Sequence, residues 1–241
     1  MCTVTLTPLS NCQTGFVLSS NRDEAPGRET LPPDFYFEEG RKMLFPKDVV
    51  AGGTWLGISE QKRVLCLLNG GFKKHFRKPP YRLSRGVVVK HLLAAEDFAA
   101  EVENYDFRGV EPFTIVAVDW QTGLKFFEMV WDDEKSHFKE LPLEPHIWSS
   151  SPLYSKEMKL LRENWFSNFR KKDVLTPENL LKFHTSAGTG DKNVDVVMDR
   201  GFVKTRSISQ IVYIDGKIEF YYRDLATGEV SKKVFLESDL L

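Results

Sequence analysis

The feature that most constrains this chain is its opening, CTVTLT followed by PLSNCQTG and then FVLSSNRDE. CTVTLT alternates polar and apolar residues with period two, as a half-buried strand does. PLSNCQTG is dense in turn formers, and FVLSSN returns as a second strand. A chain that begins this way is committed to an antiparallel sheet. Folded about a turn near Asn11 and Cys12, the hairpin sets position 2 beside about position 21, with the strands roughly 4.8 Å apart. Cys2 is thereby expected next to Asn21, Arg22 and Asp23. Its side chain is small enough for an aminopeptidase to remove Met1. The chain would then start with a thiol and an α-amine on one residue.

That juxtaposition has a chemical logic. A thiolate is the reactive form of cysteine, and a nearby cation favours it. An α-amine, with a pKa of about 7.7–8.0, serves as a general base near neutrality. An N-terminal amine activating its own side chain is one route to covalent catalysis. Asp23 is expected to orient that amine, and Arg22 either to hold a substrate carboxylate or to pair with Glu24 on the surface. Oxyanion stabilisation needs donors elsewhere. LLNGG at 67–71 offers the Asn69 side chain, with Gly70 permitting close backbone approach.

Further along, residues 25–48 carry many prolines, glycines and charges and read as a long surface loop. TWLGIS and VLCLLN form a second hairpin, and FTIVAVD with LKFFEMVWD a third around Gly123. Ser84 is expected to cap a helix through RGVVVKHLLAAED, with another helical segment near FAAEVENY. From Ser155 the period becomes helical, with Met158, Leu161, Trp165 and Phe169 on one face. Thr176-Pro177-Glu178 reads as a second helix start. RSISQIVYID, KIEFYYRD and SKKVFLE close the chain as strands. Strands, then helices, then strands joined by hairpins predict an α+β fold with helices on sheet faces. Residues 1–241 read as a single domain without internal repeats.

Composition excludes several function classes. The net charge is −1 and 41% of the residues are hydrophobic, which suits a globular protein rather than a nucleic-acid binder. The three cysteines give neither a disulfide framework nor a zinc pattern. Cys12 in a turn and Cys66 in an apolar strand read as inert, and the histidines lack metal-ligand spacing. No apolar run approaches the roughly 18 residues of a membrane span. A cytoplasmic protein in a reducing compartment is expected. Residues 73–82, KKHFRKPPYR, form a basic loop in which Lys73, Lys74, Arg77, Lys78 and Arg82, with Phe76 and Tyr81, suit a small amphipathic or anionic partner such as an acyl-CoA, a fatty-acid conjugate or haem propionates.

Taken together, the initial Met-Cys, NRDE at 21–24, GGTWLG at 52–57, LLNGG at 67–71 and TRS at 205–207 resemble the NRDE family. Each motif is weak alone, but the ordered set is specific and covers most of the chain. The resemblance implies a fold like that of N-terminal nucleophile hydrolases, a four-layer αββα sandwich of antiparallel sheets. It implies chemistry nearest to the cysteine amidases of bile salts and penicillin V, with no cofactor required. On it, Cys2 is the nucleophile, Asp23 its carboxylate, Asn69 the oxyanion donor and Arg206 a late arginine of the site. Asn21, Arg22, Trp55, Gly70 and Lys73 are candidate substrate contacts. Two positions depart from the amidase pattern: Ser20 stands before Asn21 where the amidases carry arginine, and WSSSP at 148–152 places Ser150 or Ser151 where they carry asparagine. Family members are linked to haem trafficking and lipid homeostasis, so a haem or lipid carrier is the alternative expectation.

Overall fold

The computed structural model describes residues 2–10, 12 and 14–240, with the backbone alone at Cys2 and Leu240. The state of Met1 and the turn expected at Asn11 lie outside the described residues. The chain divides into two compact units, each built from one antiparallel sheet and two helices.

The first unit comprises residues 1–28, 144–149 and 153–236. Its strands are β1 (Cys2–Pro8) and β2 (Gly15–Glu24) from the opening hairpin, then β10 (His146–Ser149), β11 (Lys204–Ile214), β12 (Lys217–Asp224) and β13 (Val230–Leu236), in the spatial order β10-β1-β2-β11-β12-β13. Helix α3 (Lys156–Lys172) starts at the Ser155 cap and α4 (Pro177–Ser186) at the Thr176 cap, both as expected from sequence. The helices cover one face of the sheet. Val17 and Val212 of the strands pack with Phe166, Leu180, Phe183 and Val196, and the Phe166 and Phe183 rings meet edge to face at 5.3 Å. Each such ring contributes roughly 1.5–3 kcal/mol by leaving water.

Of the face expected for α3, Trp165 and Phe169 pack against this core and Met158 is half-buried, but Leu161 is not part of it. Arg162 and Phe166 are its fully buried residues, whereas Leu161 is 43% exposed. Arg162 takes the central position because its guanidinium satisfies partners that an apolar side chain cannot. It donates to Thr3 Oγ1 at 2.5 Å and to the carbonyls of Val194 and Asp195 at 3.0 and 2.6 Å.

The second unit comprises residues 29–143, 150–152 and 237–241. Its sheet runs in chain order through β3 (Thr30–Glu38), β4 (Arg41–Asp48), β5 (Leu56–Ser59), β6 (Arg63–Asn69), β7 (Phe113–Asp119), β8 (Lys125–Trp131) and β9 (Ser136–Leu141). Helices α1 (Arg85–Ala94) and α2 (Phe98–Asn104) interrupt the meander between β6 and β7, capped by Ser84 and Asp97. Here the expectation of a surface loop at 25–48 is corrected, because residues 30–48 form the paired strands β3 and β4. Prolines 32 and 33 suggested a loop. They are tolerated because β3 is the edge strand and its register slips between Leu31 and Asp34, where no ladder donor is required.

Two local packings fix the ends of α1. A Cβ on Gly53 would sit 2.4 Å from the Gly86 carbonyl carbon, so GGTWLG lets the start of α1 press against the backbone there. At the other end of α1, Arg63 is fully buried and ties the Leu92 and Ala95 carbonyls to Asp119. The orphan carbonyls of a helix C-terminus are thereby satisfied by a strand residue.

Candidate functional site

The opening hairpin forms and sets Cys2 among Asn21, Arg22 and Asp23, as expected. Cys2 pairs with Arg22, Thr3 with Asn21 and Val4 with Ser20. Directly paired residues of an antiparallel sheet share a face, and a one-residue shift moves a side chain to the other face. Asp23 therefore belongs with Asn21, Ser19 and Thr3 on the face covered by α3 and α4. Arg22 belongs with Ser20, Leu18 and Val4 on the opposite face. Asp23 is one residue beyond the partner of Cys2.

Asp23 is fully buried. Its Oδ2 accepts from the Tyr154 hydroxyl at 2.5 Å and its Oδ1 from the Thr205 hydroxyl at 2.7 Å. Thr205 in turn accepts from the Met198 amide at 2.9 Å, which aims its proton at the carboxylate. Burial pushes the Asp23 carboxyl above the ordinary aspartate value, while the Tyr154 and Thr205 donors and the Arg162 charge pull the other way. Burial, then the Asp23 charge, drives the Tyr154 phenol well above its ordinary value, so the phenol keeps its proton and acts as donor. The Arg162 guanidinium lies 3.7 Å from the Tyr154 ring centre, with that of Arg200 at 5.5 Å, a cation–π arrangement that fixes the ring.

Asn21, expected as a substrate contact, spends its amide inside this unit. Its Nδ2 donates to the carbonyls of His184 and Val196 at 2.9 and 3.1 Å, and its Oδ1 accepts from His184 Nδ1. With the proton on Nδ1, His184 Nε2 accepts from the Thr5 hydroxyl at 2.8 Å. Burial, aided by the Arg162 charge, lowers the His184 pKa to about 3, so the ring is neutral. Asn21 is thus assigned to docking α4 on the sheet.

Arg206 occupies a β-bulge. Asp23 pairs with Thr205 and Arg22 with Ser207, leaving Arg206 as the extra residue between them. Such bulges re-aim a side chain. Arg206 is half-buried, and its carbonyl accepts from the Leu225 amide at 2.8 Å. Cys2, Arg22, Asp23 and Arg206 therefore share one end of the first unit's sheet.

The remaining candidates belong to the second unit. Asn69 ends β6 opposite Phe113 and is half-buried. Gly70 has φ +85°, and a Cβ there would lie 2.4 Å from Pro152 Cδ. Its amide donates to the Pro112 carbonyl at 2.9 Å and its carbonyl accepts from the Thr114 hydroxyl at 2.9 Å, so the close approach this glycine permits is to Pro152. Ser151 donates to the Gly71 carbonyl at 2.5 Å. Trp55 is buried and Lys73 exposed. Among the described residues no cluster of three or more histidine, cysteine or carboxylate groups is arranged to hold a metal ion, and no helix is long and apolar enough to cross a membrane.

Sequence reasoning missed Tyr154, Arg162, Thr205 and His184 as supports of Asp23 and Asn21. Thr205 lay inside the TRS motif. Arg162 stood four residues from both Met158 and Phe166, a charge within an apolar helical stripe that signals a buried ionic anchor. Tyr154 precedes the α3 cap with nothing in its local pattern to mark it.

Comparison with known proteins gives a consistent picture. The family described as Transport and Golgi organisation 2 matches residues 1–209. The mouse protein named Transport and Golgi organization 2 homolog is 30% identical over 120 residues, covering 48% of this chain and 42% of the mouse protein; the match thus spans less than half the length of that relative. Among solved structures, a conjugated bile acid hydrolase variant from Clostridium perfringens is similar with TM-score 0.55 and 12% identity, covering 96% of this chain and 92% of that one. Penicillin V acylase from Agrobacterium tumefaciens also gives TM-score 0.55 at 12% identity, covering 96% and 85%. A Caenorhabditis elegans N-acylethanolamine-hydrolyzing acid amidase ortholog gives 0.58 at 8%, covering 87% and 92%. At these identities the likeness establishes the fold, which is α+β and N-terminal nucleophile hydrolase-like, as the sequence led us to expect.

Proposed function

The chain belongs to the Transport and Golgi organisation 2 family, and from that premise we propose that it is a cysteine amidase acting on C–N bonds of a small amphipathic or acyl substrate. The observation that carries this reading is the buried Asp23 carboxylate, held by two hydroxyl donors one residue from the strand partner of Cys2. A buried carboxylate braced in this way at a strand end is costly unless it has a charged group to serve. The α-amine created by loss of Met1 is such a group.

In this reading the thiol proton passes to the α-amine of Cys2 as sulfur attacks the amide carbon. The same proton then goes to the departing nitrogen as the C–N bond breaks, leaving a thioester. Water, deprotonated by the amine, adds to the thioester carbonyl and releases the acid and the thiol. Asp23 balances the ammonium at each stage. Arg22 and the bulged Arg206 supply positive charge at the same sheet end.

The test combines mass and turnover. Protein from its native cell is expected to lack the mass of one methionine, and incubation with an N-acyl amide panel is expected to build a thioester on wild type but not on Cys2→Ala. Quantitative retention of Met1 sinks the proposal, as does turnover that survives in Cys2→Ala.

A second reading, a haem or lipid carrier on the same fold, is favoured by the serines at 20 and at 150 or 151, where the amidase pattern carries arginine and asparagine. Here Cys2 is a soft ligand rather than a nucleophile. Saturable binding of haemin or a long-chain acyl-CoA, with no turnover and with weaker binding by Cys2→Ala, selects this reading over the first.

A further inference from the structure

We propose that the basic loop between β6 and α1 docks the protein on an anionic phospholipid surface. Residues 72–85 contain six lysines and arginines and no acid, in a chain whose net charge is −1. The loop root is tied down by Glu111, itself only 8% exposed, which meets His75 at 3.1 Å, Arg77 at 3.4 Å and Arg85 at 3.2 Å. Lys78 reaches Asp133 at 3.5 Å and Arg82 reaches Asp106 at 4.0 Å. The cations exceed these three acids by three, and Lys73 and Lys74 stand exposed at the start of the loop.

Beside and among the cations sit two aromatic rings that the fold leaves largely exposed. Phe76 is 89% exposed and Phe72 56%. An apolar ring held in water beside unneutralised cations matches the headgroup region of a bilayer, where apolar surface sinks toward the acyl boundary while cations meet lipid phosphates. The segment presents no helical or strand face to a protein groove. A peripheral contact of this kind requires no membrane span. It is separate from the Cys2–Asp23 chemistry, so it stands or falls independently of the proposed reaction.

The test is co-sedimentation of the full chain with phosphatidylcholine vesicles, with and without phosphatidylserine. Binding is expected only to the anionic vesicles, and is expected to be lost toward 1 M salt as the screening length falls to about 3 Å. Each cation near the surface strengthens binding about fivefold. The double substitution Lys73→Glu, Lys74→Glu is therefore expected to weaken partitioning about 25-fold or more. Phe76→Ser is expected to weaken it about tenfold, and because these side chains are solvent-exposed the variants should keep the wild-type far-ultraviolet dichroism. Equal binding to both vesicle types overturns the proposal. So does wild-type partitioning by the variants, or binding to single-stranded poly(U) with none to vesicles.

Discussion

His184 makes the first unit sensitive to acid in a way that can be worked out in advance. Its ring is fully buried between β1, β2 and α4, donates to Asn21 Oδ1, accepts from Thr5 and faces the Arg162 charge of α3. Its pKa is lowered to about 3, from 6.5 in the unfolded chain. A depressed histidine contributes stability that is complete above the unfolded pKa and is lost as pH falls from 6.5 toward 3, because the unfolded chain takes the proton first. At about 1.36 kcal/mol per pH unit, the loss is about 2.7 kcal/mol at pH 4.5 and approaches about 5 kcal/mol at pH 3. Asp23 opposes this. Its raised carboxyl binds a proton in the folded state before the unfolded one, so acidification toward 3.8 stabilises the fold through that group. The assay must therefore be differential. Urea unfolding of wild type and His184→Gln across pH 4.5–7.5 isolates the histidine, and the variant is expected to lack about one proton's worth of the pH slope below 6.5. Carbon chemical shifts of the wild-type ring supply a second readout, expected to stay those of the Nδ1-protonated neutral form down to pH 4.5. Parallel slopes in the two proteins, or a ring that titrates near 6.5, would falsify this account.

Two further substitutions test the packing. Tyr154→Phe leaves a fully buried carboxylate one donor short and is expected to cost about 1.5–3 kcal/mol at pH 7. A urea-unfolding midpoint equal to that of wild type refutes the role given to the hydroxyl. Gly70→Ala combines φ +85° with a 2.4 Å approach to Pro152 and is expected to cost about 2–4 kcal/mol. Gly123→Ala has positive φ but open space and should cost only about 1 kcal/mol; comparable melting shifts for the two remove Pro152 from the explanation.

The elements that could be read from sequence were those whose signal is local. Ser84, Ser155 and Thr176 each cap the helix expected after them, because a cap is a hydrogen bond between near neighbours. The hairpins β5–β6 and β7–β8 carry alternation and a turn within one short window. What escaped depends on distant partners. Residues 146–149 become β10 only by pairing with β1, 140 to 146 residues away, and four residues carry little periodicity. Strand β3 holds two prolines that an edge position alone permits.

The site divides along the same line. Asp23 stood out within NRDE, but the groups that hold it, Tyr154 and Thr205, lie 131 and 182 residues further along the chain. The hairpin register was legible to within a residue: position 2 was set beside about position 21 and pairs with 22. Successive residues of a strand point to opposite faces, so Arg22 and Asp23 part, and the register decides which of them shares the face of Cys2. Asp23 enters the layer between sheet and helices, where hydroxyls and Arg162 brace it. Arg22 enters the opposite face beside Ser20. A carboxylate and a guanidinium adjacent in sequence are thereby kept from sharing a face at the end of the sheet that holds the start of β1. An Asp23→Asn, Arg22→Gln pair should accordingly show additive effects on any activity found, whereas two groups acting as one ion pair would show strong coupling.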